Sequence, residues 1–141
     1  MSQNQDLVAE FFCLQGLRYS EAREYQAAIA SYNKGLEFKA DAPDAWYNRG
    51  NALFYLRRFD KAIACYYKAL EFKADAPDAW YNRGVALCYV GRFDEAIACF
   101  DKAIALICQP ETWNNRGVAL GNLGRWEEAI ASYDKAIEFN F

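Results

Sequence analysis

The fourteen residues from Glu37 to Gly50 return letter for letter from Glu71 to Gly84, 34 positions further on, so the chain is assembled from a repeated unit. A unit this short cannot bury an apolar face alone and must stack on its neighbours. Trp46-Tyr47-Asn48-Arg49-Gly50 recurs as Trp80-Tyr81-Asn82-Arg83-Gly84 and, one residue early, as Trp113-Asn114-Asn115-Arg116-Gly117. A fainter copy, Phe12-Cys13-Leu14-Gln15-Gly16, lies upstream. Four units, over 9–42, 43–76, 77–109 and 110–141, make a single domain of 1–141, with a disordered tail expected over 1–6.

Apolar residues inside a unit follow a helical period: Trp46, Gly50, Leu53 and Leu56, then Ala62, Ile63, Tyr66, Ala69 and Leu70 after a break at Arg57-Arg58. Each unit therefore reads as a hairpin of two antiparallel helices. Asp41-Ala42-Pro43-Asp44 predicts a helix start near Asp44, with an aspartate cap, a first-turn proline and a second acid near the helix dipole. Gly91 and Gly124 read as stops between paired helices, and Asp60, Asp94 and Glu127 as acidic starts of the second ones.

With small residues at Gly50, Ala62 and Ala69 and bulky ones at Trp46, Leu53 and Tyr66, the chain resembles the tetratricopeptide repeat (TPR) family. The family's order of Trp, Gly, large apolar, Ala, aromatic, Ala is matched by Trp80, Gly84, Leu87, Ala96, Phe100 and Ala103. It is matched again by Trp113, Gly117, Leu120, Ala129, Tyr133 and Ala136, and more loosely in the first unit. Ala40, Ala74 and Cys108 stand where the family usually has proline. The resemblance implies an all-α, right-handed superhelical solenoid of four helical hairpins whose concave face holds a peptide of a partner protein.

Placed at about 100° per residue, the first helix of the second unit sets Trp46, Gly50, Leu53 and Leu56 on one face and Tyr47, Asn48, Asn51, Phe54 and Tyr55 on another. By similarity to the family, the second face lines the groove. Its counterparts are Tyr81, Asn82, Val85, Cys88 and Tyr89 in the third unit, and Asn114, Asn115, Val118, Gly121 and Asn122 in the fourth. In the first unit they are Cys13, Leu14, Leu17, Ser20 and Glu21. Asn48, Asn82 and Asn115 form a ladder of amides, each with a donor and an acceptor. Two readings stand for it: contact with an extended peptide backbone, or hydration and bracing of the helix face. Arg49, Arg83 and Arg116 point toward the seam, where pairing with an acid of a neighbouring helix is expected over an anion site.

Some family members clamp an acidic C-terminal tail with lysines at these positions. Here the lysines are missing and Glu10, Asp44, Asp78 and Glu111 recur instead, so a neutral or basic segment is expected. A formal charge of −3 also opposes phosphate backbones, and single-stranded RNA stands only as an alternative ligand.

There is no histidine, which removes histidine triads, histidine metal sites and imidazole relays. No glycine-rich phosphate loop is present, and the chain reads as a non-enzymatic scaffold with no cofactor and no metal. Five cysteines without a close pair fit a reducing cytoplasm better than a disulfide framework, and neither a signal peptide nor a membrane span is legible. The last helix carries Ile130, Tyr133, Ile137 and Phe139, so a homo-oligomer through the C-terminal hairpin is a further expectation, with a self-assembly module as the runner-up function.

Overall fold

The computed structural model describes residues 2–140, and among them every regular element is an α-helix. The helices are α1 (Ser2–Glu21), α2 (Tyr25–Phe38), α3 (Pro43–Tyr55), α4 (Phe59–Phe72), α5 (Pro77–Tyr89), α6 (Phe93–Leu106), α7 (Pro110–Asn122) and α8 (Trp126–Glu138). They fall into two compact units that divide between Ala74 and Asp75. In the first, α1 pairs with α2 and α3 with α4, and α2 packs on α3. In the second, α5 pairs with α6 and α7 with α8, and α6 packs on α7.

Each hairpin closes on one contact between a glycine of its first helix and a ring of its second. The pairs are Gly16 with Tyr32, Gly50 with Tyr66, Gly84 with Phe100 and Gly117 with Tyr133. A Cβ at Gly84 would stand 2.6 Å from the Phe100 ring, so only glycine lets the helix sit this close. Tyr32, Tyr66, Phe100, Leu53, Leu87 and Leu120 are fully enclosed around these contacts. They form a repeated core, one layer per hairpin.

Helix starts differ in detail from the sequence reading. Pro43, Pro77 and Pro110 open α3, α5 and α7, one residue ahead of the expected start. Ala42 and Ala76 occupy the cap positions without a side-chain hydrogen bond, so Asp41 and Asp75 do not cap. The proline's fixed φ and missing N–H suit the first helical position without help from a side chain. Asp44, Asp78 and Glu111 lie in the first turns, as do Asp60, Asp94 and Glu127 in the second helices, where they meet the positive end of the dipole.

Gly91 and Gly124 turn their hairpins at φ of 78° and 74°, as expected of glycine stops. Arg23 and Arg57 do the same work in the other unit at φ of 61° and 62°, in a region that L side chains resist. The tail expected over 1–6 is a further difference: from Ser2 onward it is the first turns of α1, with Asp6 3.9 Å from the Lys39 ammonium, while Met1 lies outside the described residues. No helix among the described residues is long and apolar enough to cross a membrane.

Candidate functional site

Within the first unit, α1, α2 and α3 surround an open hollow of about 680 Å³ lined by Leu17, Ser20, Glu21, Arg23, Tyr25, Tyr32, Asn48, Asn51, Ala52 and Tyr55. Tyr25 and Tyr55 stack across it with ring centroids 5.0 Å apart and planes 16° from parallel. Their pairing fixes two rings that water would otherwise leave free to rotate. The lining residue Asn51 is held by the Tyr66 hydroxyl of α4, which donates to Asn51 Oδ1 at 2.6 Å and turns the Asn51 amide N–H₂ away from that bond. Burial pushes the Tyr66 hydroxyl well above the ordinary tyrosine range, so it is a donor at any physiological pH.

Two hollows lie within the second unit. The larger, about 500 Å³, is lined by Tyr81, Pro110, Glu111, Asn114, Asn115, Tyr133, Ala136, Ile137 and Asn140. A smaller one of about 350 Å³ is lined by Val85, Cys88, Tyr89, Phe93, Phe100, Asn115, Val118 and Asn122. Asn115 belongs to both, and its Nδ2 donates to the Tyr81 hydroxyl at 2.7 Å. Tyr81 titrates above the usual tyrosine range because it is desolvated, although the Asn115 bond works the other way and the Glu111 carboxylate adds to the rise. Asn122 Nδ2 is turned onto its own helix, donating to Val118 O at 2.8 Å. One hollow thus carries a carboxylate, amides and two phenols with no cation. Its neighbour is mostly apolar.

Of the groove positions singled out by sequence, Leu17, Ser20, Glu21, Asn48, Asn51, Tyr55, Tyr81, Val85, Cys88, Tyr89, Asn114, Asn115, Val118 and Asn122 line these hollows. Tyr47, Phe54 and Asn82 do not, nor do Cys13, Leu14 and Gly121. Tyr47 leans on Tyr66 at 5.9 Å, and Phe54 meets Phe59 edge to face at 5.2 Å, so both rings turn toward the second helix of their own hairpin. Asn82 is half-buried. Tyr25, Phe93, Tyr133, Ile137 and Asn140 were missed because they belong to the second helices or to the chain just after one. For Tyr25 and Phe93 a signal was present in the repeat: Tyr25, Phe59, Phe93 and Trp126 occupy one position.

The three seam arginines are structural. Arg116 donates to Asp101 Oδ1 through Nε and to Ser132 Oγ through Nη1, both at 2.7 Å. Arg49 donates to Asn33 Oδ1 at 2.7 Å and to Cys65 Sγ at 2.8 Å, and Arg83 to Cys99 Sγ at 3.3 Å. An acid is the partner in one of these cases, whereas Arg49 meets an amide and a thiol. Burial raises the Cys65 and Cys99 thiols despite the arginine beside each, and Cys88 is pushed up to about 11. Protonated thiols accept the N–H groups and are poor nucleophiles. Among the described residues no group of three or more His, Cys, Asp or Glu side chains is placed to hold a metal ion.

Helix pairs of this length, closed by glycine against a ring and repeated along the chain, define a TPR protein. The tetratricopeptide repeat profile matches residues 43–75, 77–107 and 110–140, and a TPR repeat profile matches 16–56; the chain belongs to the tetratricopeptide repeat family. No curated protein matches the sequence. The crystal structure of MamA is similar with a TM-score of 0.90 at 25% identity, over 92% of this chain and 77% of its own. MamA 41-end from Desulfovibrio magneticus RS-1 gives 0.88 at 18% identity, over 92% and 74%. The first TPR of Spaghetti (RPAP3), solved bound to the HSP90 peptide SRMEEVD, gives 0.74 at 23% identity, over 89% and 95%. All three share the fold.

Proposed function

We propose that the chain is a non-enzymatic scaffold that holds a peptide segment of a partner protein against the faces lined by α1 and α3 in one unit and by α5 and α7 in the other. The observation that carries the reading is the pair of hollows in the second unit that share Asn115: a carboxylate with amides and phenols on one side, apolar side chains on the other. An extended segment advances about 3.3 Å per residue, and the proposal sets side chains two apart in the neighbouring hollows with a peptide group over the amide between them. Asn114, exposed on the same helix, adds a second amide.

The RPAP3 repeat was solved with the HSP90 peptide SRMEEVD, an acidic segment. Here the hollows of the second unit contain Glu111 and neither lysine nor arginine, so an acidic segment is repelled and a basic side chain beside an apolar one is favoured. The partner is a protein, not RNA, and the setting proposed for it is the cytoplasm.

An array of nine-residue peptides probed with the purified chain tests this. Expected is enrichment of Lys or Arg two positions from an apolar residue, with Asp and Glu depleted, and reversal of the charge preference by Glu111→Lys. Equal capture of SRMEEVD by the unmodified chain would overturn the reading.

A second reading, self-assembly through the C-terminal hairpin, is favoured by Trp126, Ile130 and Ile137, which are exposed on α8. Sedimentation across a concentration range tests it: a mass that grows with concentration supports assembly, and a constant monomer mass removes it.

A further inference from the structure

The hollow under the tyrosine stack of the first unit and the apolar hollow of the second are one place in the repeat. Tyr25, Tyr32, Asn48 and Tyr55 around the first correspond along the sequence to Phe93, Phe100, Asn115 and Asn122 around the second. Tyr25 and Phe93 each open the second helix of a hairpin, and Tyr55 and Asn122 each end the first helix of the next. The linings differ. Ser20, Glu21 and Asn51 in the first unit give way to Cys88, Tyr89 and Val118 in the second.

In the first unit the chain fills this place with a ring of its own. Tyr55 reaches from α3 and stacks on Tyr25 of α2, with centroids 5.0 Å apart and planes 16° from parallel. In the second unit Asn122 stands at the Tyr55 position, and its amide is tied to its own helix, Nδ2 donating to Val118 O at 2.8 Å. Among the described residues no ring pairs with Phe93, which lines the hollow half-buried. Tyr89 and Val118 beside it are 57% and 42% exposed. The second unit thus keeps the stacking surface and lacks the ring that covers it.

We infer that an aromatic side chain of the partner peptide takes the place of the missing ring, stacking on Phe93 as Tyr55 stacks on Tyr25. This rests on the peptide-binding function proposed above and names the chemistry of the apolar residue two positions from lysine or arginine. Tyrosine suits the hollow best. Its ring gains the offset stacking that an aliphatic side chain of similar size lacks, and the Cys88 sulfur in the lining adds a contact that rings favour. Its hydroxyl brings a donor to a place where Asn122 Nδ2 is committed to the helix and Asn122 Oδ1 accepts no hydrogen bond from the described residues. The equivalent place in the first unit does not compete, because Tyr55 already occupies it.

The probes are acetylated and amidated peptides Gly-Ser-Lys-Ser-X-Ser-Gly with X as Tyr, Phe, Leu or Ala, titrated into the full chain and followed by amide shifts. The Tyr peptide is expected to saturate with shifts over residues 85–100 and 115–122, and to bind about fivefold more tightly than the Leu peptide, with Phe between them. Asn122→Tyr supplies the ring from the chain itself and should erase the preference for Tyr over Leu. Asn122 is exposed, and unchanged circular dichroism verifies the fold of that variant. Binding of the Leu peptide as tight as the Tyr peptide, a preference that survives Asn122→Tyr, or shifts centred on residues 17–55 would each overturn the inference and leave peptide binding itself standing. Absence of saturable shifts with every peptide would overturn both.

Discussion

The two units share one hairpin design and differ in what they place around it. In the first, Arg23 and Arg57 hold the tight turns at positive φ, and the hollow mixes Glu21 with Arg23 under a tyrosine stack. In the second, Gly91 and Gly124 hold the turns, and Glu111 is the one charged residue lining the two hollows. The glycine–ring seam, by contrast, is the same in both. Packing thus tolerates little change from copy to copy, while turns and linings vary freely because solvent or a ligand, not the next helix, meets them.

The sharpest way to break this comparison is in the seam. Tyr66→Ala and Phe100→Ala each remove a fully enclosed ring and should each cost about 3–5 kcal/mol in urea denaturation. A difference between them of more than about 2 kcal/mol would contradict a shared core. Next comes charge in the linings: Glu111→Lys should weaken a lysine-containing peptide by about tenfold, near 1.4 kcal/mol, measured by calorimetry. Glu21→Lys should do less, since Arg23 already opposes Glu21 in that hollow.

Turn strain is smaller. Arg57→Gly should stabilise by up to about 1 kcal/mol, reduced by loss of the contact of Arg57 over the Phe59 ring at 5.3 Å, whereas Gly91→Ala should destabilise by about 1 kcal/mol. A further effect is alkaline. Cys88 moves from 9.0 to about 11 on folding, so the folded state keeps a proton that the unfolded chain loses first. The contribution of this thiol to stability is therefore level below pH 9 and falls as pH climbs from 9 toward 11. Urea midpoints measured between pH 8 and 11 should decline, and Cys88→Ala should flatten part of that decline.

The repeat made the fold legible. A fourteen-residue identity aligns the remaining copies, and the alignment marks Gly50 as a small residue and Tyr66 as a space-filling one, which the structure brings into contact. Helix starts slipped by one residue because Pro43 itself opens α3 and Asp41 makes no capping bond, a choice between two good start signals that sequence alone does not rank. The expected tail was polar and aperiodic over 1–6, and nothing in that pattern announces a helix that simply runs on from a packed one.

For the candidate site, a single-helix wheel placed Asn48, Asn51, Asn114 and Asn115 on the face that lines the hollows but treated that face as uniform. Tyr47 and Phe54 sit at its margin, and rings on the neighbouring helix, Tyr66 and Phe59, draw them into packing. Tyr25 and Tyr133 come from second helices, which a wheel of the first cannot contain. Finding them requires the pairing of helices, not the periodicity of one.

The central claim is that partner peptides lie on the amide faces and meet Asn115 between a carboxylate hollow and an apolar one. Amide-shift mapping with the strongest array peptide tests it most directly. The account predicts that shifts centre on Tyr81, Glu111, Asn114, Asn115 and Val118 and collapse together in the Asn115→Leu chain. Shifts confined to residues 126–138, or unchanged by that substitution, would contradict it.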